Sequence, residues 1–169
     1  MDRRKAKAGE VKYGVHNTEN ETIGISIAGR FLYEAIFVPE GMKPPARSIL
    51  QTPELQVYTE DFGSQTADQA LAAEADGKLV GAVWVRIMND YGHFDDSTPS
   101  LAISLYGPYR GLGIGTGLMK AMLTHLKESG FSRVSLSVQK ANYAVGLYLR
   151  LGFQIVAEHA EEYLMVCEL

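Results

Sequence analysis

The stretch of the chain best suited to chemistry is Arg110 followed by glycines at four alternate positions, 111, 113, 115 and 117. It lies between a predicted strand and a predicted helix. Glycines let backbone N–H groups approach a ligand with no Cβ in the way, and the start of a helix carries a partial positive charge. Together these features predict an anion site suited to a pyrophosphate, with Arg110 adding a fixed charge. A purely structural turn is the alternative.

Two common nucleotide-binding motifs do not fit this stretch. A P-loop needs Gly-Lys followed by Ser or Thr, which the chain lacks. A dinucleotide-binding fingerprint needs glycine where Thr116 or Leu118 stands, and an acidic residue at the end of the next strand. That strand runs into Gln139 and Lys140 instead. Both nucleotide interpretations therefore fail.

A second group of residues follows one helix and one strand later. Asn142 precedes a short apolar segment that contains Tyr148 and ends at Gly152. Asn142 can cap a helix over 144–151, and Gly152 can stop it. A tyrosine hydroxyl can donate a proton, although packing on Ala144 one turn earlier is the simpler interpretation of Tyr148.

These two groups, in this order, resemble the motifs of the GNAT superfamily, the acetyl-CoA-dependent N-acetyltransferases. Arg110-x-x-Gly113-x-Gly115 is similar to the coenzyme A motif of that superfamily. Asn142-x-Ala-x-x-Leu-Tyr148, followed by Gly-Phe at 152–153, is similar to its second motif. The match is close over residues 79–156, and upstream it is only a helical pattern with a loop reminiscent of bacterial members.

The resemblance implies a binding mode for acetyl-CoA as the acyl donor. Backbone amides would hold the pyrophosphate beside Arg110, and the exposed backbone of Ile103 and Leu105 would pair with the pantetheine arm. Asn142 would hydrogen-bond that arm, and strands 101–105 and 134–138 would splay apart. The implied coenzyme-binding residues are Ile103, Leu105, Arg110, Gly111, Leu112, Gly113, Ile114, Gly115, Thr116 and Asn142.

The resemblance also implies direct transfer of the acetyl group to a primary amine of a small molecule or peptide. Tyr148 would lie near the thioester sulfur and act as the general acid. A phenol with a pKa of about 10 holds its proton more tightly than a thiol at about 8.5, so a concerted transfer suits a developing thiolate. The lone Cys167 is far from both motifs in sequence, which agrees with a reaction that needs no covalent intermediate. A non-catalytic acyl-CoA-binding module, acting as a regulator or sensor, is the alternative.

The general base stays open at this point. Many relatives place an acidic residue on or near the central strands, but residues 101–105 include none. The candidates by chemistry are Glu34, Glu40, Asp90 and His93, and a chain of water molecules is another.

The acceptor pocket is expected to form from the first helices, the 38–47 loop and the 89–98 loop. Aromatic and acidic side chains there would suit a cationic amine. Each of them could equally be core or surface, and the apolar strand around Trp84 favours the core for that residue. The candidates are Tyr33, Glu34, Trp84, Arg86, Tyr91 and Phe94.

The elements that must position these residues follow from the apolar pattern. Three- and four-residue spacing predicts a helix over 22–37, followed by a proline-rich loop and a weaker helical segment to about residue 62. Asp76-Gly77 predicts a hairpin between strands 70–75 and 79–87. A helix follows the glycines, and the other predicted strands cover 101–105, 134–138, 153–158 and 163–168. The fold class is mixed α/β, with a mostly antiparallel twisted sheet of about six to seven strands and about four helices.

Length and composition fit a single domain over 1–169, with residues 1–10 as a frayed terminus, and the resemblance implies that it is an N-acetyltransferase domain. The net charge of −4 disfavours nucleic acid as a partner. No Cys/His spacing suits zinc and no apolar run reaches membrane-span length, so neither a metal nor a membrane is expected. We expect a cytoplasmic protein. Exposed edge strands would allow a homodimer, which the sequence does not decide.

Overall fold

The computed structural model describes residues 11–15 and 27–169. Its centre is a seven-stranded sheet with the strand order β1-β2-β3-β4-β5-β7-β6. The strands are β1 (Val11–Val15), β2 (Gln69–Ala75), β3 (Lys78–Arg86), β4 (Ser100–Leu105), β5 (Arg133–Gln139), β6 (Gln154–Glu158) and β7 (Glu162–Glu168). The predicted frayed terminus, residues 1–10, and residues 22–26 of the predicted first helix lie outside the described residues.

Within the described ranges, four α-helices flank the sheet. They are α1 (Ile27–Ala35), α2 (Pro53–Gln56), α3 (Ile114–Glu128) and α4 (Ala144–Arg150). Short 3₁₀ helices cover Arg47–Gln51 and Gly107–Tyr109. The mixed α/β class with a mostly antiparallel sheet is therefore confirmed, and so is the first helix in its described part.

Two elements differ from the sequence-based expectation. The weak helical segment before residue 62 is divided into the 3₁₀ helix Arg47–Gln51 and the single turn α2, because Thr52 between them is extended and Pro53 fits the first turn of a new helix. The apolar pattern did not predict β1, because the alternation of Val11, Tyr13 and Val15 extends over only five residues. This strand pairs with β2 along its whole length and forms the outer edge of the sheet.

The core lies on both faces of the sheet, and β3 shows how. Val83 and Val85 pack in one apolar cluster with α3, whereas Ala82 and Trp84 pack in the other with α1. All four side chains are buried. A central strand covered by helices on both faces must be apolar at nearly every position, which explains why this run reads as continuous rather than alternating.

The hairpin predicted at Asp76-Gly77 is confirmed. Asp76 has a φ of 51° and Gly77 a φ of 74°, which are the positive angles of a two-residue turn that matches the twist of its strands. The turn fixes the register of β2 against β3 and so brings the second of these strands alongside β4.

The predicted splay between β4 and β5 is also confirmed. These neighbours run parallel and pair at one position, Ser100 with Ser135, after which they separate. By contrast, β3 stays paired with β4 from Arg86 to Gly81. The sheet therefore opens at its centre, on the side toward the carboxyl ends of β4 and β5.

Cys167 lies on β7 and is buried, as its apolar neighbours predict. Burial raises the pKa of its thiol, which keeps the sulfur protonated. No helix in the described part of the chain is long and apolar enough to cross a bilayer.

Candidate active site

The opening between β4 and β5 leads into a cavity of about 690 Å³. One side is formed by the end of α1 and by the segment that contains α2. The other side is formed by β5, α4 and the turn between β6 and β7. Ile103, Asn142 and Tyr148, three of the residues predicted from the sequence, line this one cavity together.

The backbone of β4 has groups along the opening that no neighbouring strand bonds. The Tyr106 N–H donates to the Val80 carbonyl of β3 at 3.0 Å, so even-numbered residues of β4 direct their backbone groups toward β3. Alternation along a strand then turns the N–H and C=O groups of Ile103 and Leu105 toward the opening. Beyond Ser100 no β5 residue pairs with this edge.

Arg110 occupies one of these groups. Its Nε donates to the Leu105 carbonyl at 2.9 Å. Its Nη2 donates to the Glu34 carbonyl at 3.2 Å and lies 3.4 Å from the Glu34 carboxylate. The guanidinium thus joins the end of β4 to α1, and Glu34 carries an ion pair.

The four glycines after Arg110 have two different roles. Gly111 and Gly113 have φ angles of 74° and 84°, and a Cβ on either would meet no atom within 4 Å. They shape an open turn that other residues would strain. A Cβ on Gly115 would approach the Leu105 side chain at 3.2 Å, and one on Gly117 would collide with the Tyr13 ring. These two glycines let α3 pack closely on the sheet.

Helix α3 begins directly after Gly113. Its first i→i−4 bond runs from the Gly117 N–H to the Gly113 carbonyl at 3.0 Å. The N–H groups of Ile114, Gly115 and Thr116 precede that bond and have no partner within the helix. The buried side chain of Ile114 and the half-buried one of Leu112 anchor this turn in the core.

Asn142 and Tyr148 are placed by α4. The Asn142 Oδ1 accepts a hydrogen bond from the Ala144 N–H at 2.9 Å, which confirms the predicted capping contact. Tyr148 is 8% exposed, and its ring packs against Phe153 with centroids 5.8 Å apart. Burial raises the pKa of Tyr148, with a smaller contribution from Tyr143, so its hydroxyl stays protonated at neutral pH. That hydroxyl makes no hydrogen bond to any described residue.

The opposite wall contains a hydrogen-bonded group that sequence reasoning missed. The Tyr58 hydroxyl donates to the Asp90 Oδ2 at 2.7 Å, and the Ser100 hydroxyl donates to the same oxygen at 2.8 Å. The Asp90 Oδ1 is buried without a partner. Burial and the negative charge of Asp90 raise the pKa of Tyr58, with smaller contributions from Tyr91 and Glu162.

A second missed group lies where β5 meets β7. The Ser137 hydroxyl donates to the Glu162 Oε2 at 2.6 Å, and both residues line the cavity. Glu54 and Glu161 line it as well. Isolated residues in a short turn and at a strand end carry no periodic signal, so the sequence offered nothing that would identify them.

Only some of the acceptor candidates named from the sequence line the cavity. Tyr91 lines the cavity. Trp84 and Arg86 are buried away from it, Trp84 in the core as expected. Tyr33 donates to the Pro45 carbonyl at 2.6 Å, and Phe94 lies against Arg133 with the guanidinium 5.3 Å from its ring centroid.

The four candidates for the general base lie in different surroundings. Glu34 is paired with Arg110, and Glu40 is an exposed loop residue. His93 approaches the Met88 carbonyl at 3.0 Å through Nδ1 and Asp96 at 3.7 Å through Nε2. Asp90 is held by Tyr58 and Ser100. None of these four side chains lines the cavity.

The chain resembles known acetyltransferases in sequence. Over 83 residues it is 35% identical to a mycothiol acetyltransferase from Corynebacterium efficiens, a match covering 48% of this chain and 26% of that protein. Over 113 residues it is 34% identical to an N-alpha-acetyltransferase from Sulfurisphaera tokodaii, covering 57% of this chain and 67% of that protein. The chain spans about a quarter of the length of the mycothiol acetyltransferases that it matches.

The fold is similar to that of a solved GNAT family acetyltransferase from Elizabethkingia anophelis with acetyl-CoA bound. The TM-score is 0.60 at 16% sequence identity, and the match covers 94% of this chain and 98% of that one. Residues 36–153, which include the splayed strands, the glycine turn and Tyr148, match the family model of these enzymes. Because that match extends over well more than half of the sequence, the chain belongs to the Acetyltransferase (GNAT) family.

Proposed function

We propose that the protein transfers the acetyl group of acetyl-CoA to a primary amine of a small molecule or peptide. The observation that carries this proposal is the position of Tyr148. This buried tyrosine lines the cavity next to the edge of β4 that no strand pairs with beyond Ser100. The family membership and the acetyl-CoA bound to the Elizabethkingia anophelis protein support the choice of donor.

The residues predicted to bind acetyl-CoA fit such a ligand. The open turn at Gly111 and Gly113 and the free N–H groups of Ile114, Gly115 and Thr116 suit a pyrophosphate, and the amide of Leu112 lies in the same turn. Arg110 adds positive charge at the end of β4, next to this turn. The backbone of Ile103 and the N–H of Leu105 are available to a pantetheine arm, because Arg110 already takes the Leu105 carbonyl. The Asn142 side-chain amide is the remaining polar contact.

Tyr148 would act as the general acid. The amine nitrogen bonds to the thioester carbonyl carbon, the C–S bond breaks, and Tyr148 donates its proton to the leaving sulfur. The raised pKa keeps the hydroxyl protonated at neutral pH, and the proton moves to the sulfur in concert with C–S cleavage, as negative charge develops there. A module that only binds acyl-CoA would have no use for an unpaired tyrosine hydroxyl at this position.

The walls of the cavity favour a cationic acceptor. Glu54, Glu161 and Glu162 line it, and none of them forms a salt bridge with another described residue. Tyr58 and Tyr91 contribute aromatic surface. Uncompensated carboxylates next to aromatic rings attract an ammonium group, which is the form in which a primary amine arrives at neutral pH.

Calorimetric titration of the purified protein with acetyl-CoA, free CoA, NAD and ATP tests the donor. We expect binding of the two coenzyme A species and none of the nucleotides. Thiol release from acetyl-CoA is then measured with spermidine, tryptamine, kanamycin, a peptide with a free N-terminus, ethylamine and 2,2,2-trifluoroethylamine. Binding of NAD or ATP instead, or no thiol release with any amine, would overturn the proposed function.

A further inference from the structure

The proposed reaction needs a residue that removes a proton from the acceptor amine. An amine arrives as an ammonium ion and attacks only after it has lost a proton. The four side chains considered from the sequence do not line the cavity: Glu34, Glu40, Asp90 and His93. The structure instead offers the three carboxylates that do line it.

Glu162 differs from the other two because its position is fixed. Glu54 and Glu161 are exposed, and neither side chain makes a hydrogen bond to another described residue. Glu162 is half-buried at the start of β7, opposite Gln139 of β5. Its Oε2 accepts the 2.6 Å hydrogen bond from Ser137, while its Oε1 accepts none from the described residues. One oxygen is therefore held and the other is available.

The location of Glu162 also fits proton removal from an acceptor. Ser137 lies on β5, the strand that faces β4 across the opening, so the Glu162 carboxylate is held beside the gap where the thioester is expected. Tyr58 and Tyr91 also line the cavity, and Asp90 accepts a hydrogen bond from the Tyr58 hydroxyl. The charge of Glu162 contributes to raising the pKa of Tyr58, which places the two side chains within electrostatic reach of each other.

We propose that Glu162 is the general base of the reaction and that Ser137 positions it; this role rests on the proposed function. The free carboxylate oxygen takes a proton from the acceptor ammonium, and the neutral amine attacks the thioester carbonyl carbon. The C–S bond breaks and the sulfur takes the proton of Tyr148. The new amide nitrogen loses its second proton, which returns to the tyrosinate. The products are the acetylated amine, CoA thiol and protonated Glu162, which then releases its proton to solvent.

Two acceptors of nearly equal size separate this role from a structural one. Ethylamine is protonated at neutral pH, whereas 2,2,2-trifluoroethylamine is largely neutral and needs no base. In Glu162→Gln, kcat with ethylamine should fall by about 10²- to 10⁴-fold, while kcat with trifluoroethylamine should change by less than about fivefold. Ser137→Ala should show the same selectivity with a smaller loss.

Three measurements serve as controls. Glu168→Gln removes an exposed carboxylate from the same strand, outside the cavity, and should leave both rates unchanged. Glu161→Gln removes a charge from the cavity and should raise the KM for ethylamine without lowering kcat, because it loses attraction and not a base. Calorimetry should give Glu162→Gln the acetyl-CoA affinity of the unmodified protein.

Equal losses for both amines in Glu162→Gln, no loss at all, or an unmodified protein that acetylates neither amine would overturn the role of Glu162. Only the absence of thiol release across the whole amine panel would overturn the proposed function as well. Retained acetyl-CoA binding with a loss confined to ethylamine is the result that supports both.

Discussion

Tyr148 combines two properties at the scale of a single residue, a packed ring and an unpaired hydroxyl. Tyr148→Phe keeps the contact with Phe153 and removes only the proton donor. We expect kcat to fall by about 10²- to 10⁴-fold while the acetyl-CoA affinity stays the same. Steady-state thiol release and calorimetry measure the two quantities. Tyr143→Phe changes a side chain that is 78% exposed just before α4, and it should leave kcat intact.

The same residue makes a pH prediction. Burial raises the pKa of Tyr148, so the folded protein keeps a proton that an unfolded chain loses at about pH 10. The stability contribution is therefore complete below about pH 10 and is lost as the pH rises further. We expect no alkaline decline of kcat from Tyr148 up to about pH 10, and a smaller loss of stability above it in Tyr148→Phe. An alkaline decline of kcat with a midpoint well below pH 10, present in the unmodified protein and absent in Tyr148→Phe, would contradict the raised pKa of Tyr148.

Sequence and structure agree unevenly at this scale. Tyr148 and Asn142 could be named as candidates because they stand in one spaced motif, on α4 and just before it, and the structure brings both to the cavity. Tyr58, Ser137 and Glu162 could not, because each comes from a different element and only folding brings them together. Arg86 was named for a pocket, yet its charge is used in the interior, against Asp68. Charge alone did not distinguish these two uses.

At the scale of elements, two glycines at the ends of α3 allow the effect of backbone strain to be measured apart from the effect of ligand contact. Gly113 and Gly130 lie at opposite ends of α3 with φ angles of 84° and 87°, and a Cβ on either meets nothing within 4 Å. Valine at either position strains the backbone by about 1–2 kcal/mol. Only Gly113→Val also places a side chain beside the free N–H groups of α3.

We therefore expect Gly113→Val to weaken acetyl-CoA binding by more than about tenfold, which corresponds to about 1.4 kcal/mol. Gly130→Val should lose similar stability and keep the affinity. Calorimetry and thermal unfolding of both variants give the comparison. Equal affinities would mean that the turn is structural and binds no phosphate.

Elements with strong local signals were predicted well. The hairpin at Asp76-Gly77 follows from two residues that accept positive φ angles, and α3 follows from its apolar stripe. Elements with weak local signals were predicted poorly. The strand β1 depends on pairing with β2, which is distant in sequence, and α2 depends on where Pro53 allows a turn to begin. Tertiary contacts decide such segments, and a single sequence does not display them.

At the scale of the whole molecule, a buried ion pair holds one wall of the cavity, the segment that carries Tyr58, on the sheet. Arg86 contacts both oxygens of Asp68, at 3.0 and 3.2 Å, and both side chains are almost fully buried. Arg86 also donates to the carbonyls of Val57, Glu60 and Asp61, at 3.1, 2.5 and 3.0 Å. The segment that carries Tyr58 is thus tied to β3.

Removing one partner of this pair should destabilise the fold strongly. Asp68→Ala leaves a buried guanidinium without its counter-charge and should lower the free energy of unfolding by about 3–5 kcal/mol. Glu158→Ala breaks the exposed pair with Lys140 and should cost about 1 kcal/mol or less. Urea denaturation of both variants measures the difference. Similar losses of unfolding free energy in the two variants would show that burial does not make the Arg86–Asp68 pair more important for stability than an exposed pair.

The overall architecture could be predicted because two motifs fix the order of strand, helix, strand and helix through the middle of the chain. The splay between β4 and β5 followed from the family resemblance and is present. The described strands belong to one sheet, which supports our proposal of one domain over 1–169. The cytoplasmic location and the homodimer stay predictions.

The residues that line the cavity come partly from the stretch that matches the family model and partly from outside it. The residues proposed to bind the donor, from Ile103 to Tyr148, lie inside the stretch shared with the family, residues 36–153. Some of those proposed to face the acceptor, Leu32 on α1 and the Glu161-Glu162 pair, lie outside that stretch. A duplicated gene can therefore diverge at these outer segments, apart from Glu162, and acquire a new acceptor while the acetyl-donor half is passed on intact. Selection for a new amine would act on residues that carry no proton in the proposed reaction.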